Sequence, residues 1–444
     1  MRCVLSIDQT KPAHAMYKRL QTSNSMSRHH LRYTRHETLN HEKGTTMPRA
    51  SVVIPCYNAE RFLEETLQSV RQQTMDDFEI ICVDDESTDG TLKLLQKIAS
   101  EEPRMRVITR QNGGEGPTRD AGRAAATGDW LYFLDADDRM RPTLLEEAIA
   151  RGEETDADLV IFKTQELDDQ TGEIREFKYC FEVEWLNGLD VFCPAEHPQR
   201  IFNSFQNWVH NKLYRGSFVR EHGLAFQHVR RSADLLFTCR ALSEASRIAL
   251  LDRELHLYRV NNPQSALFTS DVAPLDFYEG FLALRTVLEE RGTWDLYHDA
   301  YVSWAQEGVS MNMQRTRAFE DWHLIAQTIR EGGAQKLDLM SITREQAVNP
   351  DRWDRCKEIM TLSLDELAFR YLVRERAAVD YLRTQCSWKD LHLANQQSCI
   401  NEQDRLLKQQ DEDFHNVLNS ASFRIGRMIT ALPRNTVGRL RHRQ

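Results

Sequence analysis

The sequence predicts an α/β fold: a mostly parallel sheet with helices on both faces, followed by a helical carboxyl-terminal region. Two patterns carry that expectation. From residue 50 to about 163, short apolar runs alternate with amphipathic stretches of helical period, as in sheets whose strands are joined by helical crossovers. After about residue 272 the strand signals stop, and the chain reads as helices with charged faces. A third observation ties fold to chemistry. Polar, ligand-competent residues follow each of the first strands, and sheets of this kind bind ligands beyond the carboxyl ends of their strands.

The elements follow in order. Residues 51–55 form a short apolar strand, with Pro55 expected to stop its ladder. Residues 59–73 are amphipathic, with Phe62, Leu63, Leu67 and Val70 on one face. A second strand covers 78–83. Ser87 or Thr88 can cap the next helix, which turns Leu92, Leu95 and Ile98 inward. A third strand spans 105–109. A glycine-rich loop and a helix to about 127 lead into a fourth strand, 130–134. Pro142 suits the first turn of another helix, and 158–163 reads as a further strand. Residues 180–270 are mixed and rich in aromatics, among them Trp185, Phe192, Phe205, Trp208 and Tyr214. Leu372, Val379, Cys386, Leu393, Ile400, Leu407 and Phe414 recur every seven residues. That spacing fits a long helix, a self-associating coiled coil or a helix docked along one edge.

Composition narrows the function. A formal charge of −10 argues against a nucleic-acid binder. The nine cysteines contain no CxxC pair, so neither a zinc site nor a dithiol redox motif is indicated. No apolar run approaches the length that spans a bilayer. These features lead us to expect a cytoplasmic protein. Residues 1–46 are polar, with eight Lys/Arg against three Asp/Glu. They read as a disordered leader, a transit peptide or a misassigned start before Met47. Residues 47–270 are expected to form the α/β domain and 271–419 a helical domain. Residues 420–444 carry six arginines and no acid, with Phe423, Ile425 and Met428 interleaved. That tail can lie on an anionic membrane surface at the inner face of the cell membrane, or stand solvated.

The segment 129–138, DWLYFLDADD, carries the most chemistry. A buried strand delivers Asp135, Asp137 and Asp138 to its end. Crowded, buried like charges are costly unless a cation compensates them. A hard, oxygen-binding cation such as Mg²⁺ or Mn²⁺ suits them and would bring a diphosphate with it. The plainer alternative is a solvated acidic turn. Three more loops face the same edge. Tyr57 in PCYN offers a ring to stack on. Asp85 in VDDESTDG can accept hydrogen bonds from a base or ribose, or cap a helix. NGGEG permits close backbone approach ahead of Arg119, which can reach a phosphate. Neither GxGxxG nor GxxxxGK[ST] occurs.

The stretches SVVIPCYNAERFLEETLQSV, VDDESTDGT, NGGEGPTRDAG and GDWLYFLDADD resemble the family 2 glycosyltransferases. The resemblance covers roughly residues 50–266 and is most specific up to Asp138. It implies the GT-A fold, a Rossmann-like sheet, and an inverting transfer from a nucleotide sugar, UDP-linked above others. It implies that Pro55 and Tyr57 line the nucleobase pocket and that Asp85 recognises the base. It places Arg119 near the donor, Asp135 toward the ribose and Asp137 on Mn²⁺ or Mg²⁺. NKLYRGSF resembles the acceptor-side segment, marking Asn211 and Lys212. ADLLF resembles a Glu-Asp-x-x-Phe motif, with Ala233 in place of the Glu, and assigns the catalytic base to Asp234. LYRVNNPQSA resembles the closing loop of polysaccharide-building members. The resemblance thus implies hexosyl transfer to a glycan or lipid-linked acceptor in cell-surface polysaccharide synthesis. A nucleotidyltransferase and a non-catalytic, transferase-like scaffold are the alternatives.

Overall fold

The computed structural model describes residues 47–177, 181–262, 273–390 and 405–410. The leader 1–46, the tail 420–444, and Leu393, Ile400 and Phe414 of the seven-residue repeat lie outside the described residues.

The alternation read from the sequence is the alternation observed. Strands β1 (Ala50–Cys56), β2 (Phe78–Asp84), β3 (Met105–Thr109) and β4 (Trp130–Phe133) are joined by helices α1 (Glu60–Arg71), α2 (Thr91–Glu101) and α3 (Glu115–Ala125). All four strands run parallel, with Ala50 paired to Phe78 on one side and to Trp130 on the other. The chain continues through β5 (Arg139–Met140), α4 (Leu144–Glu154), β6 (Leu159–Asp168), β7 (Ile174–Glu176), β8 (Val191–Phe192) and β9 (Lys212–Arg215). Then come α5 (Gly216–Glu221), α6 (Ala233–Glu244) and β10 (Ile248–Val260). The main sheet order is β3-β2-β1-β4-β9-β6-β10-β5. β9 runs antiparallel between β4 and β6, and β10 returns parallel to β6. The carboxyl ends of β1–β4, β6 and β10 therefore share one edge, and β9 starts there.

Side chains alternate across the sheet. Val52 and Ile54 join Leu63, Leu67 and Val70 of α1 and Leu144, Leu145 and Ile149 of α4 on one face. Val53, Ile81, Val83 and Phe133 join Leu235, Phe237 and Leu242 of α6 on the other. Each such buried side chain contributes about 1.5–3 kcal/mol. The second core continues into α7 (Asp276–Glu290), α8 (Trp294–Arg315), α9 (Phe319–Thr328), α10 (Pro350–Thr361) and the start of α11 (Leu364–Asp390). Leu372, Val379 and Cys386 fall within α11, so the first part of the seven-residue repeat lies on one long helix. Among the described residues, no helix is long and apolar enough to cross a membrane.

Two local expectations are corrected. Pro55 does not stop β1: the strand runs on to Cys56, paired with Asp84. Pro55 shares its side of the strand with Val53, whose carbonyl accepts the Leu134 N–H at 3.0 Å. Pairing with β4 ends at Phe133, so the missing proline N–H falls beyond that strand. Nor do Ser87 and Thr88 cap α2. They bind the Asn58 loop, while Asp89 Oδ1 accepts the Thr91 N–H at 3.0 Å.

Helix α3 lies unusually close to β1. A Cβ on Gly122 would stand 2.3 Å from Val53 Cγ1. Gly122→Leu should therefore destabilise the protein by roughly 1–3 kcal/mol through overpacking, read as a lower urea midpoint at unchanged slope.

Candidate active site

The site lies along the shared edge, and the acidic turn after β4 is its centre. Asp135 is held by Arg119, whose Nη2 donates to Asp135 Oδ1 at 2.6 Å and meets Glu115 Oε1 at 2.5 Å. Arg119 is only 2% exposed. Burial pushes the Asp135 carboxyl up, but Arg119 and the neighbouring His210 outweigh it and hold the group well below the usual range. Asp138 is fully buried. Its Oδ1 accepts the Arg259 N–H at 2.7 Å, and its Oδ2 lies 3.0 Å from His256 Nε2. His256 Nδ1 in turn lies 2.9 Å from the Tyr132 hydroxyl. With the proton assigned to Nε2, neutral His256 donates to Asp138 and accepts from Tyr132. Burial lowers the His256 pKa to about 3. Burial and His256 lower that of His210 to about 4.

Asp137 is treated differently. Its Oδ2 accepts from the Asn262 amide at 3.1 Å. Burial, then Asp138 and Asp135, raise its carboxyl to about 7. It is thus a carboxylate whose surroundings hold too little positive charge. Close by, His210 Nε2 is buried with no hydrogen-bond partner among the described residues. Carboxylate oxygens at a crowded strand end suit Mg²⁺ or Mn²⁺, so the residues fit the expected cation. Asp138, His210 and His256 also bring ligand atoms within 4.8 Å of one another. Both nitrogens of His256 are already engaged, however, so that trio reads as a brace for the turn.

On one side of the turn lie the nucleotide-type loops. Tyr57 is 53% exposed just beyond β1, with its ring available for stacking. Asp85 is buried, and its oxygens accept from Arg110 Nη1 at 2.6 Å and from the backbone N–H groups of Gly113 and Gly114 at 3.1 and 2.9 Å. Asp85 therefore ties the glycine-rich loop to the end of β2. Its neighbour Asp84 keeps a buried oxygen, Oδ1, without a partner among the described residues.

On the other side lies α6. Asp234, in its first turn, is partly exposed. Burial and the charges of Glu115 and Asp135 raise its carboxyl to about 7 against the pull of Arg119. Asn211 and Lys212 lie behind this half of the site. Lys212 Nζ donates to the carbonyls of Phe205, Gln206 and Trp208 at 2.8–2.9 Å and to Asn211 Oδ1 at 2.7 Å. Both residues are fully buried, so they shape the 205–208 turn from beneath.

Backbone strain concentrates around these groups. Asn58, Glu86, Ser232 and Asn261 all have positive φ, between 49° and 61°. They adjoin Tyr57, Asp85, the start of α6 and Asn262. No sequence motif marks Glu115, His210, His256, Arg259 or Asn262 individually. Arg259 and Asn262 sit in the YRVNN stretch, which was singled out only as a loop. The histidines had no motif to mark them.

The family described as glycosyl transferase family 2 matches residues 51–222. The chain is 30% identical over 258 residues to the putative glycosyltransferase EpsH of Bacillus subtilis, covering 55% of this chain and 72% of EpsH. It is 30% identical over 226 residues to the uncharacterized glycosyltransferase EpsJ of the same organism, covering 49% and 63%. A third relative is TarS of Staphylococcus aureus, a poly(ribitol-phosphate) beta-N-acetylglucosaminyltransferase. It is 28% identical over 238 residues, covering 52% of this chain but only 39% of TarS. The crystal structure of TarS residues 1–349 with UDP-GlcNAc superposes with a TM-score of 0.53 at 22% identity, over 70% of this chain and 90% of that one. That likeness agrees with the strand order in giving the GT-A fold. By its sequence and its fold, the chain belongs to the family 2 glycosyltransferases.

Proposed function

We propose that the protein is an inverting glycosyltransferase that moves a sugar from a UDP-sugar to a hydroxyl of a glycan or lipid-linked acceptor in cell-surface polysaccharide synthesis. One observation carries this reading. Arg119 stands among Asp135, Glu115 and Asp234, so the carboxylate turn and the candidate base share one electrostatic environment. The UDP-GlcNAc bound by TarS supports the donor class.

The division of labour follows from position. Tyr57 and Pro55 face the base, with Asp85 fixing the glycine loop beside it. Asp137 would hold a divalent cation, with Asp135 alongside it. When bound, that cation supplies positive charge to the diphosphate as negative charge grows on the leaving group. Asp234 takes the proton of the acceptor hydroxyl as its oxygen attacks the anomeric carbon and the bond to the diphosphate breaks. A single displacement inverts the anomeric centre and needs one base, not a carboxylate nucleophile. Asn211 and Lys212 act on the acceptor through the turn they support. We place the reaction in the cytoplasm, with 47–270 as the catalytic domain and 271–419 as a helical domain offering α11 for self-association.

Asp137→Ala should lower metal-dependent UDP release from UDP-GlcNAc or another UDP-sugar by about 10³-fold, the several kcal/mol that a Lewis-acid cation contributes. EDTA should do the same to the wild type. Undiminished release in both would overturn the metal assignment. Asp234 gives a second expectation. Its carboxyl titrates near 7, and a base works only when ionised. kcat/KM should therefore fall tenfold per unit as pH drops below about 7. Asp234→Asn should be nearly inactive across the range while still binding UDP. A variant with wild-type turnover would remove Asp234 from the mechanism.

A further inference from the structure

Resting on that reading, a second feature of the same edge bears on what the acceptor is. Phe177, Trp208, Tyr258 and His210 form a continuous set of ring contacts on the far side of the carboxylate turn from Tyr57. Trp208 lies 5.1 Å from Tyr258 with planes 24° apart, and 4.9 Å from Phe177. His210 stacks 5.5 Å from Tyr258 and 4.2 Å from the fully buried His256. The set starts at Asp138, through His256, and ends at rings that stay partly exposed: Phe177, Trp208 and Tyr258. Phe205 and Phe202, nearby in sequence, are by contrast fully buried in the core.

Position separates this wall from the nucleobase. The base-side loops follow β1, β2 and β3. The wall rises from the start of β9 and the ends of β6–β7 and β10, across β4 from them in the sheet order. Strands are about 4.8 Å apart, so the two sets of rings lie several strand widths from each other. The wall is also fixed relative to the base. Asn207, next to Trp208, accepts from Thr238 Oγ1 at 3.1 Å through its carbonyl and from Cys239 Sγ at 3.4 Å through Oδ1. Both partners are on α6, which carries Asp234. Two residues on, His210 Nδ1 lies 3.6 Å from Asp135 Oδ2. Trp208 is thus suspended between an anchor on the base's helix and an anchor on the metal turn, with Lys212 bracing its carbonyl from below.

We infer that Trp208, with Tyr258 and Phe177, is the acceptor-side wall on which a pyranose ring of the acceptor stacks, presenting its hydroxyl toward Asp234. The C–H-bearing face of a pyranose is weakly positive and complements the negative face of an aromatic ring. An acyclic polyol phosphate offers no such face. The occupant is therefore a ring sugar at the acceptor terminus.

The test is equilibrium binding of chitotetraose to the full chain in the presence of UDP and Mn²⁺, measured for wild type, Trp208→Phe and Trp208→Ala, with UDP affinity and melting temperature read on the same samples. Trp208→Ala should weaken chitotetraose by about tenfold, the scale of one aromatic contact. Trp208→Phe should recover most of that, and UDP affinity should change less than about twofold. Tyr258→Leu provides a second reading if Trp208→Ala lowers the melting temperature. Unchanged chitotetraose binding in both variants would overturn the proposal. So would equal loss of UDP and saccharide binding, or wild-type binding of a ribitol phosphate oligomer without any binding of chitotetraose. The wider glycosyltransferase reading fails separately, by an absence of metal-dependent UDP binding in the wild type.

Discussion

Three carboxylates crowded within four residues, Asp138 fully buried and Asp135 and Asp137 partly so, are the constraint on which this structure depends. Asp135, Asp137 and Asp138 follow a strand with no exposed residue, and like charges at that spacing raise one another's proton affinity. The fold answers each one differently. Asp135 has the Arg119 guanidinium. Asp138 has the Arg259 N–H and a neutral imidazole. Asp137 has one amide. Two of the three are satisfied from within the protein, and the shortfall is left at Asp137, where a cation can compensate it. The two histidines, kept neutral by burial, orient the turn, and His210 beside Asp135 helps hold that carboxyl low.

Meeting that constraint brings distant parts of the chain together. Arg259, near the end of β10, donates to the Asp137 carbonyl at 2.6 Å, to Glu65 of α1 at 2.6 Å and to Asp169 after β6 at 3.2 Å. Its guanidinium lies 4.6 Å from the Phe62 ring centroid. One side chain therefore joins the first crossover helix, the acidic turn and the last long strand. The insertion of antiparallel β9 between β4 and β6 makes this possible. It spaces β10 so that its end reaches over the acidic turn, and it places the 205–212 turn at the same edge.

How much of this was legible in the sequence differs along the chain. The runs at 51–55, 78–83, 105–109 and 130–134 each became a parallel strand; those of β1, β2 and β4, buried on both faces, are the more continuously apolar, while β3 at the sheet edge carries exposed Arg106 and Thr109. Pro55 was misread because its effect depends on how far its neighbour β4 extends, a property of pairing rather than of the residue. The acidic turn announced itself because charge directly after a buried strand is a local signal. Glu115, His210, His256 and Arg259 did not, because their roles come from packing between segments as far as 194 residues apart in sequence. Asn211 and Lys212 stood in a recognisable motif, yet only their burial shows that they act from beneath. The helical half was legible as helices but not as an extension of the same hydrophobic core, since helical period does not say what a helix packs against.

The turn before β9 explains why the two halves of the edge cannot be set independently. Asn207 is bonded to α6, and His210 approaches Asp135, with Trp208 between them. A shift of α6 that moves Asp234 also pulls on the residues facing Asp135, and a change of charge at the acidic turn is felt by the same segment. Lys212 makes the link stiff, because its ammonium is held against the carbonyls of Phe205, Gln206 and Trp208 from below, and a buried ammonium tolerates no loss of partners. The position of the base, the charge state of the metal carboxylates and the surface offered to the acceptor are therefore set by one short turn. In the sequence, only its aromatic residues and the NKLY motif that follows give any sign of it.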